Sequence, residues 1–138
     1  MRYHPWRAVP ERVDIAFVDD LPAGVRGRTC GQRIEINSRL LSAERRSAVT
    51  HELVHVERGV HDLTGVALAR EESIVERTAA RRLIALDQLI DVLRWTRHAP
   101  EVADELWVDV PMLEAFVDDL TSDERATIRR ALADIEVA

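Results

Sequence analysis

Residues 51 to 55 read His-Glu-Leu-Val-His. On an α-helix, positions i and i+4 lie one turn apart on one face. His51 and His55 can therefore turn both imidazoles toward a single ion. Neutral imidazole is a good ligand for zinc, with a bond of about 2.0–2.1 Å. Glu52 is rotated about 100° from His51 by the helical step, so its carboxylate stands beside such an ion rather than on it. A catalytic zinc keeps one position for water and lowers that water's pKa to about 7. Glu52 is then the candidate general base, taking the water's proton during attack on a peptide carbonyl and passing it to the leaving amine. Three fixed positions recur by chance, and the bland reading is two surface histidines on an amphipathic helix. The surroundings have to decide.

A catalytic zinc needs a third protein ligand, and three residues compete. His61 follows His55 by six residues, the metzincin spacing. That pattern wants glycine at position 58, where this chain has Arg58 with Gly59 one place later, and no Met-turn is recognisable. The acidic helix downstream offers Glu72 and Glu76. At 100° per residue, Ala79, Leu83, Leu86, Ile90 and Leu93 define an apolar stripe, and both glutamates fall within it. A carboxylate on a buried face needs a partner. Glu72 is read as the ligand and Glu76 as the acceptor of a ligand histidine's second N–H; the spacing leaves the reverse open. In the bland alternative both pair with Arg77, Arg81 or Arg82 along the helix.

The elements that must hold these residues follow from periodicity. Residues 13–18 (VDIAFV) alternate and read as a strand, and 29–31 and 33–37 (RIEIN) as further short strands of a small antiparallel sheet. A helix is expected from an N-cap at Ser42, with Glu44 near its positive end, to a stop at Gly59. After a loop, one long helix is expected over 66–97, ending before Pro100. Three short helices should follow. Asp109 before Val110-Pro111 marks one start, and Thr121 with Glu124 forms a capping box for another. Leu113, Phe116, Val117 and Leu120 make one apolar face, and Ile128, Leu132 and Ile135 a second. The expected class is α+β in a single domain over 1–138, with a catalytic part over 1–97 and a three-helix extension over 98–138.

The chain has 138 residues, 46% apolar and 32% charged, which suits one ordinary globular domain. Lys and Arg number 19 against 25 Asp and Glu, a net charge of −6 that argues against direct nucleic-acid binding. Cys30 is the single cysteine, so no disulfide closes within the chain, and a small buried strand position is expected for it. No apolar run approaches the roughly 20 residues of a membrane span, and the N-terminus lacks a signal-peptide core. A cytoplasmic location is expected, with no membrane partner.

The run GRTCGQRIEINSRLLSAERRSAVTHELVHVERG (27–59) and the helix REESIVERTAARRLIAL (70–86) resemble the ImmA/IrrE zinc metallopeptidases, zincins of phages, mobile elements and bacterial chromosomes. The resemblance covers about residues 13–120. It implies a zincin-like sheet and helix pair, a zinc cofactor, and cleavage of a helix-turn-helix repressor as the protein substrate. His51, Glu52 and His55 match the family motif directly. Family members often place the acidic ligand immediately before an Ala-Asn pair, whereas here the spacing to AARRLI is shifted. The segment VADELWVDVPMLEAFVDDLTSDER loosely resembles the family's terminal helix-turn-helix. Its second helix carries Glu114, Asp118 and Asp119, which would repel phosphate, so core completion or a protein surface is the favoured reading.

Two other functions compete with the peptidase: a metal-bearing module that sequesters a repressor without cutting it, and a DNA-binding regulator. Tyr3, His4, His98 and Arg81 are candidate oxyanion stabilisers that the sequence does not rank. Trp6, Trp95 and Trp107 are expected as core or interface anchors. Because zincin substrates add to a sheet edge, residues 29–31 are expected along the cleft.

Overall fold

A computed structural model describes residues 2–137, with side chains of 2–133. The chain is α+β. After a 3-10 turn at Pro5–Ala8 come strands β1 (Asp14–Val18), β2 (Gly27–Cys30) and β3 (Arg33–Asn37). Helices α1 (Ser42–Arg58), α2 (Gly65–Leu83), α3 (Leu86–Leu93), α4 (Ala99–Glu105), α5 (Val110–Asp118) and α6 (Ser122–Val137) follow.

The sheet is mixed, not antiparallel, with strand order β1-β3-β2. β2 and β3 form a hairpin whose turn contains Gly31 at φ +60, a value that glycine takes without steric cost. β1 lies on the other side of β3 and runs parallel to it, Ile15 beside Ile34 and Phe17 beside Ile36. Strand direction depends on which neighbour is met in space, which local alternation does not encode. The inner faces of Ile34 and Ile36 are fully buried against Val49 and Leu53 of α1. Cys30 faces outward and is exposed, because the alternation of β2 turns residues 27 and 29 inward instead.

α1 begins one residue earlier than expected. Leu41 is the N-cap, and its N–H donates to Glu44 Oε1 at 3.1 Å. Ser42 instead accepts from the Trp107 indole N–H at 3.0 Å. Gly59 closes the helix in the left-handed region, its N–H donating to the His55 carbonyl.

The expected long helix is two helices. Ile84 and Ala85 are extended, and the chain turns between Leu83 and Leu86 without Gly or Pro. Burial supplies the reason. Val75, Ala79, Ala80 and Leu83 on α2, Ile84 itself, and Leu89 and Val92 on α3 all enter one apolar cluster with Val102, Leu106, Leu113 and Phe116. A straight helix could not aim all of these inward. The Leu83 carbonyl freed at the break accepts from Arg46 Nη2 at 3.3 Å. The α5 and α6 starts are as read: Asp109 accepts from the Met112 N–H, and Thr121 and Glu124 cap each other reciprocally. Leu132 is buried; Ile135, the last residue of that expected face, lies outside the described side chains. Trp95 is 57% exposed and Trp6 41%, so neither is a core anchor.

Arg81 clamps α2 to the C-terminal helices. It donates to Asp119 at 2.9 Å and to both Glu124 oxygens at 2.7 and 2.9 Å. These bonds, first that of Arg81, then that of the Thr121 N–H, hold the Glu124 carboxyl down at about 2 from an ordinary 4.5. A depressed folded-state pKa adds stability above the unfolded value. That stability should fade as pH falls from about 4.5 through about 2. Urea unfolding across this window should show the loss, and Arg81→Gln should flatten the dependence.

Candidate metal centre

α1 and α2 pack side by side, and two ion pairs set their register. Arg58 at the end of α1 holds Glu71 with two bonds, 2.5 and 2.8 Å. Arg82 reaches back to Glu57 with bonds of 2.5 and 2.9 Å. The bidentate fork of arginine fixes orientation as well as distance. Glu71 is thereby kept ionised, its carboxyl lowered chiefly by the Arg58 hydrogen bond. With Glu71 turned toward Arg58, the next residue, Glu72, faces the HELVH motif.

His51 Nε2 lies 3.3 Å from Glu72 Oε2, and His55 Nε2 lies 3.1 Å from Glu72 Oε1. One ligand atom from each of His51, His55 and Glu72 can be chosen so that all three lie within 4.8 Å of one another. The two imidazole rings are 4.9 Å apart, edge to face. Atoms bound tetrahedrally to zinc at about 2.0–2.1 Å stand roughly 3.3 Å from each other. The donor set, two imidazole nitrogens and a carboxylate, and the two histidine-to-carboxylate distances therefore suit that ion.

Glu52 points to the sheet side of the group. It is 7% exposed, and its Oε2 accepts from the Thr29 hydroxyl at 2.6 Å. A cleft of about 490 Å³ runs over His51, Glu52, His55 and Glu72, with Gly27, Arg28 and Thr29 on one wall and Val60, Leu63 and Leu68 on the other. Of the expected 29–31, Thr29 is at the cleft while Cys30 and Gly31 do not line it, and the outer edge of β2 is left unpaired by β3.

The other sequence candidates fall elsewhere. His61 lines the same cleft but lies outside the three-residue group. Glu76 lines an adjoining cavity with His51, Glu52, Arg26 and Asp109. The carboxylate buried on the α2 stripe is Glu71, 7% exposed, whereas the Glu72 side chain is 44% exposed and Glu76 is half-buried. The arginines of the bland reading are engaged away from Glu72 and Glu76: Arg77 donates to the Ser73 carbonyl, Arg81 to Asp119 and Glu124, Arg82 to Glu57. Tyr3, His4, His98 and Arg81 do not line the cleft. Sequence reading passed over Glu71, and it placed Thr29 at the cleft without its bond to Glu52. A signal existed for Glu71, since it shares the i, i+4, i+8 row of Val75 and Ala79. The Thr29–Glu52 bond had none, because the strand-to-helix contact is non-local.

Comparison of the chain with family models, curated proteins and solved structures returns no match in any of the three. Among the described residues, no helix is long and apolar enough to cross a membrane.

Proposed function

We propose that this protein is a zinc-dependent endopeptidase, with His51, His55 and Glu72 holding the metal and Glu52 as general base. One observation carries the reading: two imidazoles one helical turn apart meet a carboxylate from the next helix at 3.3 and 3.1 Å, in an open cleft beside a buried second carboxylate. Bound there, zinc would acidify a water molecule and polarise a peptide carbonyl. Glu52 removes the proton from that water and returns it to the departing amine. The free edge of β2 accepts an extended substrate strand through main-chain hydrogen bonds, which aligns the scissile bond along α1. Arg58 and Glu71 keep Glu72 aimed at the histidines.

The resemblance of residues 27–59 and 70–86 to ImmA/IrrE peptidases supports a zincin-like packing of sheet, α1 and α2, and a helix-turn-helix repressor cut in the cytoplasm as the substrate. Glu114 and Asp118 are exposed on α5, which favours protein contact over phosphate contact for the helix-turn-helix-like C-terminal segment.

Metal analysis of the purified protein tests the centre. About one zinc per chain is expected, as for a catalytic site with three protein ligands. Glu72→Ala should weaken zinc binding by more than the roughly 10–100-fold that follows loss of a supporting hydrogen bond. His61→Ala should leave it unchanged. Wild-type protein that takes up no zinc ends this reading, and zinc retained by Glu72→Ala but lost from Glu76→Ala moves the third ligand.

A further inference from the structure

We propose that Gly27 and Thr29 are positioning residues that together set the rotamer of Glu52, an inference that rests on Glu52 being the general base. Residues two apart on a strand share a face. Gly27 pairs with Ile36 and Thr29 with Ile34, so both stand on the face of β2 that meets α1. Thr29 Oγ1 donates to Glu52 Oε2 at 2.6 Å, a short bond to an acidic side chain. Gly27 supplies the space. A Cβ built there would lie 3.3 Å from Glu52 Cγ, 3.2 Å from the Glu35 carbonyl oxygen and 2.9 Å from Ile36 Cδ1. The Glu35 carbonyl belongs to the ladder and cannot step aside, so a larger residue at 27 presses on the strand pairing or on the Glu52 stem.

The two residues act at opposite ends of the Glu52 side chain. Gly27 lets its stem lie flat under β2, and Thr29 ties one oxygen, leaving Oε1 for the proton. A glutamate side chain has three rotatable bonds and many rotamers, and holding it in one removes a reorganisation cost at the moment of reaction. The same edge strand that would receive the substrate main chain thereby also sets the base, so substrate register and base position are referred to one element.

Acetohydroxamate reads this position without a substrate. It chelates zinc, and its acidic O–H seeks a carboxylate beside the metal. Titration calorimetry on zinc-loaded protein should show Thr29→Val binding zinc as wild type does but acetohydroxamate about tenfold more weakly. Thr29→Ser, which keeps the hydroxyl, should bind within about twofold of wild type, well short of the tenfold step. Gly27→Ala should also weaken acetohydroxamate with zinc retained. Equal acetohydroxamate affinity in Thr29→Val and wild type overturns the proposal. So does loss of zinc together with the hydroxamate in Thr29→Val, which would make the residue a support of the strand alone. Wild-type protein that binds neither overturns the peptidase reading itself, and the positioning role falls with it.

Discussion

Glu52→Gln is expected to lower peptide-bond cleavage by about 10²–10⁴-fold while the variant still binds zinc. The substitution is nearly isosteric. Glutamine keeps a carbonyl oxygen that can accept from the Thr29 hydroxyl, so the 2.6 Å contact to β2 has a replacement and the fold has little reason to change. His51, His55 and Glu72 are untouched, so the metal should stay. What disappears is basicity: a carboxamide cannot take a proton from water near neutral pH. The measurement is made on any peptide the zinc-loaded wild type cuts, found by incubation with a peptide pool and mass spectrometry of new termini. Cleavage at the wild-type rate by the variant removes Glu52 from the mechanism. A zinc-loaded wild type that forms a stoichiometric complex with an intact partner, equally well with Gln at 52, would favour the sequestering module instead.

The second large effect lies away from the cleft. Arg46→Met should cost about 3–5 kcal/mol of stability, out of the about 5–15 kcal/mol that a domain of this kind possesses. Arg46 is fully buried, with no carboxylate among its hydrogen-bond partners in the described residues. Its guanidinium donates to the carbonyl oxygens of Tyr3, Leu83, Leu106 and Trp107, at 2.8 to 3.3 Å, and lies 5.0 Å from the Trp107 ring. Leu83 and Leu106 sit at the C-terminal ends of α2 and α4, where helix dipoles present partial negative charge. The charge is therefore met by helix ends, and although burial lowers its pKa to about 10, the group stays protonated at neutral pH. Methionine fills much of the volume of the stem but leaves four carbonyls without that donor; each orphaned group costs about 1–3 kcal/mol, a loss partly offset because the buried charge and its desolvation cost are gone. Thermal unfolding should move down by roughly 10 °C, at about 2–4 °C per kcal/mol. A urea midpoint equal to that of wild type would mean these hydrogen bonds contribute nothing.

Arg46 also shows how the readable and unreadable parts of this chain divide. It lies in a segment whose helical nature was plain, yet nothing local distinguished it from Arg45, whose guanidinium is only part-buried. The proposed third ligand divides the same way. Reading one helix over 66–97 drew its stripe partly from Leu86, Ile90 and Leu93, which belong to α3. Once the chain turns at Ile84, the buried row of α2 is Glu71, Val75 and Ala79, and Glu72 is displaced to the cleft edge. The stripe placed two glutamates near the site without separating them; the Arg58–Glu71 and Arg82–Glu57 pairs between helices bring Glu72 to the histidines.

The sequence alone determined what depends on neighbours a few residues away: a helix carrying His51, Glu52 and His55 with the two imidazoles on one face, its Gly59 stop, the three strands, and the Asp109 and Thr121 caps. Helical and strand periods are local, so spacing suffices to read them. Tertiary structure decided the rest: β1 parallel to β3, the break at Ile84, Glu72 at the histidines, and Thr29 on Glu52. Each of these rests on contact between segments distant in sequence, where packing and burial select among arrangements that local periodicity leaves equal.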